Sequence, residues 1–215
     1  MQNQSQNQPQ SNMPHSENVS QPLNHGGHEM FDVQEVLSTS IGVLDQYTMY
    51  RQHAKDQSLV DIIDRQHAFI QEEYNVTLEV FRTGAKPSKS IVTYDMNMEK
   101  GNDTVFGLTQ TPPKKPIQSV NEINDQSVSG YMLGLIKSGA SLKAMTALEM
   151  TNPVLRRVVA DSVPNWIEMA YEIFLYQNKR HYYQVPQLSQ GDMQQILSSF
   201  APAPGQAGTN GNMMQ

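Results

Sequence analysis

Apolar residues recur every three or four positions through the middle of this chain and almost vanish at its two ends. Helical periodicity begins near Glu29, where Leu37, Ile41, Leu44 and Tyr47 fall on one face of a first helix. After a break near Lys55 to Gln57, a second helix carries a broad stripe of Leu59, Ile62, Ile63, Phe69, Ile70, Val76 and Val80, and Gly84 stops it. A third helix is predicted from Asp125 to Met150, with Val128, Met132, Leu135, Leu142 and Met145 on one face. Gly130, Gly134, Ser138 and Ser141 form a second, narrow face that would let a neighbour approach closely. Asn152 and Pro153 then read as the N-cap and first position of a fourth helix bearing Leu155, Val159, Val163, Trp166, Ala170, Ile173 and Tyr176 and ending near Tyr183. Pro164 falls inside it and predicts a kink, at about 3 kcal/mol unless the packing uses the bend. A last short helix, Ser189 to Phe200, is expected to lie across one end of the bundle.

The pattern changes over residues 85–120. Pro87, Gly101, Pro112, Pro113 and Pro116 punctuate it and no helical period survives, although a short extended piece is expected near Ser90 to Tyr94. So long a connection is uncommon inside a compact domain, except where two helices of a bundle run the same way and need a crossover along its full length. Short turns on either side of one long crossover give two helical hairpins. The expectation is an all-α, ferritin-like four-helix bundle over residues 29–200. Residues 1–28, rich in Gln, Asn, Ser and Pro, and residues 201–215 have too little apolar surface to offset ordering costs of roughly 1–2 kcal/mol per residue, and are expected to be disordered tails.

Composition narrows the function. The 215 residues carry a net charge of −6, with no basic surplus of the kind a phosphate-backbone binder needs, so nucleic acid is not an expected partner. Mean hydropathy is −0.54 and no apolar run approaches the roughly 20 residues that span a bilayer, so no membrane span is expected. The N-terminus shows no basic segment followed by an apolar one, and the expectation is synthesis in the cytoplasm without a signal peptide. The chain has no cysteine, which excludes disulfides, thiolate metal sites and a cysteine nucleophile.

A ferritin-like bundle raises the question of a dinuclear metal centre. That chemistry needs a carboxylate from each of two helices and Glu-x-x-His from each of the other two, because a three-residue step puts both ligands on one inward face. The second helix offers Asp64 and His67 at that spacing and Glu73 on the apolar stripe, and the third offers Glu149. The first helix has Glu35 and Asp45; the fourth has Glu168 and Glu172, followed three residues on by Tyr171 and Leu175 rather than histidine. The second half of the constellation is missing. Asp64 and His67 read better as a solvated or interhelical polar pair, so no metal or other cofactor is expected. If a metal were held, Asp64, His67, Glu73 and Glu149 would be its candidates. His25 and His28 have ligand spacing but precede the first helix in the tail. Neither a phosphate-cradling loop nor a Gly-x-Ser-x-Gly elbow occurs, and no catalytic residue is assigned. Tyr176 is expected in the core, with Tyr182 and Tyr183 capping the end of the bundle.

Three runs carry a resemblance: Gly130-Tyr131-Met132-Leu133-Gly134 through Ala140, Ala147-Leu148-Glu149-Met150-Thr151-Asn152-Pro153-Val154-Leu155-Arg156, and the closing Tyr182-Tyr183-Gln184-Val185-Pro186. Together they resemble the coat F domain of endospore-forming bacteria, well over residues 125–188 and more loosely over the first two helices. The resemblance implies a ferritin-like fold and a structural, non-enzymatic role in the spore coat or an associated layer. It implies other coat proteins or further copies of this chain as partners. Gln-rich tails would suit Gln–Lys cross-linking in such a layer. Arg180-His181 departs from the family pattern, where a smaller residue such as glycine is common. The alternative is a ferritin-like metal-binding protein or redox enzyme with an altered dimetal site.

Overall fold

A computed structural model of the chain describes residues 25–96 and 104–203. Most of the expected tails, residues 1–24 and 204–215, lies outside these described residues. Four long helices form the body: α1 (Gly27–Arg51), α2 (Gln57–Thr83), α3 (Asp125–Ala147) and α4 (Pro153–Lys179). A single 3-10 turn, Val120–Glu122, precedes α3, and a short helix, α5 (Gln190–Leu197), follows α4.

Each long helix starts or stops where local chemistry dictates. Asp56 caps α2 by accepting from the Ser58 N–H, Asn124 caps α3 by accepting from Ser127, and Asn152 caps α4 by accepting from both Val154 and Leu155. Gly84 ends α2 in the left-handed region at φ 64°, which a glycine enters without a Cβ penalty. Pro164 is exposed and α4 continues through it, so the missing N–H falls on the outer face of the helix.

Contacts at the two ends set the topology. At one end the Lys55 N–H donates to Asp125 and Arg180 pairs with Asp56, joining the α1–α2 turn to the start of α3 and the end of α4. At the other, the Asn152 amide donates to the Gly84 carbonyl and Glu29 accepts from the Asn152 N–H, joining the end of α2 to the α3–α4 turn and the start of α1. Helices α2 and α3 therefore run the same way, and the chain between them must cross the whole bundle. α1 packs on α2 and α3, and α4 packs on α3 and α2. This is the ferritin-like arrangement of two hairpins and one long crossover.

The crossover is strapped to α4 by two buried asparagines. Asn165 accepts from the Tyr94 N–H and donates to the Val92 carbonyl; Asn178 accepts from Val105 and donates to the same residue's carbonyl. Each side-chain amide satisfies the crossover backbone as a neighbouring strand would. The stretch at Ser90 to Tyr94 forms no strand; among the described residues the isolated bridges pair Phe106 and Gly107 with Val185 instead.

Several expectations need correction. The buried face of α1 is Val33, Val36, Leu37, Ser40, Val43 and Tyr47, with Leu44 partly buried against it, while Ile41 is exposed. On α3 the buried face is Val128, Met132, Ile136, Gly139 and Lys143, and Met145 points to solvent. Gly130, Gly134, Ser138 and Ser141 are all exposed, and the close approach occurs at Gly139 instead. Finally, α5 buries none of its residues, so it does not close an end of the bundle. At the N-terminal boundary, residues 25–28 are ordered and α1 already begins at Gly27.

Candidate functional site

The core falls into two apolar clusters. One, toward the start of α1, contains Val33, Leu37, Val80, Leu155 and Val159; the larger one contains Tyr47, Ile63, Met132, Trp166 and Ile173. Between them along the four helices lie Ser40, Glu73, Lys143 and Ser162, all buried. The middle of the bundle is thus a polar layer, at the depth where a ferritin-like protein could hold metal.

Its centre is an ion pair. Glu73 of α2 accepts from Lys143 Nζ of α3 at 2.8 Å and from Trp166 Nε1 of α4 at 2.7 Å, both through Oε1. The ammonium also stands 5.0 Å from the centre of the indole, within cation–π range. Trp166 reaches this place because α3 offers no side chain at Gly139: a Cβ there would lie 2.1 Å from the indole. Glu73 Oε2 is buried and has no partner among the described residues, so neutralisation of this carboxylate runs through Oε1 alone.

A second buried carboxylate, Glu172 of α4, lies farther along. Its Oε2 accepts from Tyr94 at 2.6 Å and from Gln66 Nε2 at 2.9 Å, and its Oε1 accepts from Arg65. Gln66 in turn accepts from Tyr47 at 2.8 Å and donates to the Met169 carbonyl. Burial first, and then the negative charge of Glu172, push the Tyr94 phenol well above its ordinary 10.0. It remains a neutral donor, which suits a hydrogen bond to a carboxylate. A third buried acid, Glu29, accepts from His25, from the Thr151 hydroxyl and from the backbone of Asn152, while His25 also contacts the Phe81 carbonyl. Its role is to clasp one end of the bundle.

The four metal candidates read from the sequence do not converge. Asp64 is exposed and paired with Arg51 at 2.6 and 2.9 Å. His67 sits half-buried near Thr48. Glu149 is exposed in the α3–α4 turn, and Glu73 alone faces the interior. His28 is exposed while its spacing partner His25 turns inward. Among the described residues no group of three or more His, Cys, Asp and Glu gathers as a metal cluster. The donor set in the polar layer does not fit a dinuclear centre either: a cation at Glu73 would meet an ammonium already seated on the same carboxylate oxygen. The partners of the two buried acids, Lys143, Arg65, Gln66 and Tyr94, were not read as site residues. One signal was available, since Lys143 continues the register of Val128, Met132, Ile136 and Gly139.

At the far end, Tyr176 is buried, Tyr182 is partly buried against it and Tyr183 is exposed, packing edge-on to Phe174. Arg180 lies 3.9 Å above the Tyr176 ring and pairs with Asp56. His181 takes a left-handed conformation at φ 57°. A glycine would fit there without strain, and histidine is among the residues that enter this region more readily than most.

The fold and its interior define a ferritin-like helical bundle in which internal cations pair with the central acids and neutral side chains donate hydrogen bonds to them. Comparison with known proteins adds the family. The Coat F domain model matches residues 124–186, which spans α3, α4 and the closing segment. The spore coat protein F-like protein YhcQ of Bacillus subtilis (strain 168) is 54% identical over 191 residues, covering 88% of this chain and 87% of that protein. The chain belongs to the spore coat protein F-like family. A crystal structure of a proposed spore coat protein from Bacillus halodurans C-125 shares the fold, with a TM-score of 0.56 at 17% identity over 80% of this chain and 98% of that one. Among the described residues no helix is long and apolar enough to cross a membrane.

Proposed function

We propose that this protein is a structural, non-catalytic component of the spore coat or an associated spore layer and that it acts by protein–protein assembly. The observation that carries the reading is the kinship over most of the chain with a spore coat protein F-like protein. The interior supports it. Glu73 and Glu172 are committed to Lys143, Trp166, Arg65, Gln66 and Tyr94, which leaves them to hold helices together. Its partners are other coat proteins or further copies of the chain, with no role for nucleic acid. The Gln-rich N-terminal segment is a proposed donor for Gln–Lys cross-links.

A fluorescently tagged copy followed through sporulation tests the reading. The expected result is a signal that gathers at the forespore surface and stays with purified spores after washing. A signal that remains diffuse and is lost from purified spores overturns it. Iron and manganese content of protein purified without chelator tests the metal-binding alternative: near-stoichiometric metal that is lost on Glu73→Gln would replace the structural reading with that one.

A further inference from the structure

The short helix α5 is an amphipathic element that no described residue covers on its apolar side. Met193, Ile196 and Leu197 follow the i, i+3, i+4 spacing by which a helix is read in a groove, and Phe200 follows three residues beyond the helix end. Ile196, Leu197 and Phe200 are 53, 73 and 82% exposed, and no residue of α5 is buried against its own bundle. The helix is capped by Ser189, but at eight residues it gains most of its order from whatever packs on it.

A matching surface lies beside its root. The proline-rich part of the crossover stands off from the start of α3 and the end of α4, leaving a groove of about 1210 Å³. Leu108, Ile117 and Tyr131 line it and are 69, 36 and 40% exposed. Its charged lining residues are Lys114, Lys115, Arg180 and Glu122; Arg180 is already paired with Asp56, which leaves the two lysines against one carboxylate. The closing segment and arm, residues 184–203, carry Asp192 as their only charged residue. An amphipathic helix of slight negative charge thus matches a groove with an apolar strip and a slight positive surplus.

We propose that α5 of one copy docks into this groove on a second copy, and that the exchange is reciprocal. Tyr182 and Gln184 line the groove and the arm leaves immediately after them, through residues 185–189. Arm root and groove thus share one face of the molecule. Two copies related by a two-fold axis across that face each present an arm to the other's groove, and the contact closes as a dimer. The contact deepens the assembly reading above by naming the partner, and it can fail separately from it.

The test uses the full chain, whose lack of cysteine makes an engineered pair unambiguous. Light scattering should give twice the single-chain mass of 24.2 kDa for the wild type. Leu197→Asp should return it to the single-chain mass with unchanged helical circular dichroism, because the arm contributes nothing to the core. The double variant Ile117→Cys, Leu197→Cys should form a covalent dimer on mild oxidation. A single-chain mass for the wild type at the highest concentration reached overturns the proposal. So does an internal disulfide in place of an intermolecular one, which would seat the arm on its own bundle. A dimer unchanged by Leu197→Asp overturns it as well. A monomeric chain that still reaches the spore sinks this contact and spares the coat reading; a dimer that never reaches the spore does the reverse.

Discussion

Glu73 and Glu172 are both buried in the bundle, 3% exposed at the side chain, and are neutralised in different ways. Glu73 has one cation, Lys143, which is itself only 3% exposed. Its other donor is an indole, and one of its oxygens has no partner among the described residues. Glu172 has donors on both oxygens, and its cation, Arg65, is 29% exposed. The first arrangement joins α2, α3 and α4 through side chains alone. The second also reaches the crossover through Tyr94, so it ties the long connection to the bundle. The difference shows two ways of keeping acids inside a helical bundle. One seals the charge pair away from water, and the other leaves the cation a route to solvent.

The largest expected effect comes from breaking the sealed pair. Lys143→Ala leaves the buried Glu73 carboxyl without its cation and should cost about 3–5 kcal/mol of stability in urea unfolding. The double variant Glu73→Gln, Lys143→Met, which removes both charges at similar volume, should recover most of that loss. If the double variant is no better than the single one, the pair is not the source of the effect. Glu172→Gln should cost less, about 1–3 kcal/mol, because Arg65 can turn to water. Its distinguishing mark is faster hydrogen exchange at the Tyr94 amide as the crossover loosens. Equal losses at the two sites would erase the contrast drawn between them.

Smaller effects lie toward the surface. For Asp56, burial alone would raise the pKa, but the Ser58 N–H, Arg180 and the Tyr176 hydroxyl together bring it below its ordinary 3.8. A depressed carboxylate stabilises the folded state above its ordinary value, and that increment is lost as pH falls through the folded value. Asp56→Asn should therefore lower the melting temperature at neutral pH and narrow its difference from the wild type below about pH 4. A difference that does not change with pH would refute this assignment. The smallest effect belongs to Asp64, whose pair with Arg51 is fully at the surface; Asp64→Asn should leave the urea midpoint within error.

Much of the architecture can be read without coordinates. The stripes of α2 and α4, Gly84 as a stop, Asn152-Pro153 as a start and the length of 85–120 together require two hairpins and a crossover. The reason is local: caps, glycine and apolar period act within a few residues of where they stand. Single positions were harder. On α1 and α3 the inner face includes the small and polar residues Ser40, Gly139 and Lys143, so a rule that puts apolar residues inside places Leu37, Tyr47, Val128 and Met132 correctly and misplaces Ile41 and Met145.

The interior chemistry was half legible. Glu73 and Glu172 stood out as acids on helices, but nothing in the order of residues says that Lys143 meets the one and Arg65 the other, 70 and 107 positions away. The sequence by itself determined four helices, their order and the connection that makes two of them parallel, because those follow from short-range preference and chain length. Only the tertiary structure decided that the middle of the bundle is an ion pair under a tryptophan and that α5 stands free. Both depend on which side chains the packing brings within a few ångströms, and that is a property of the assembled helices.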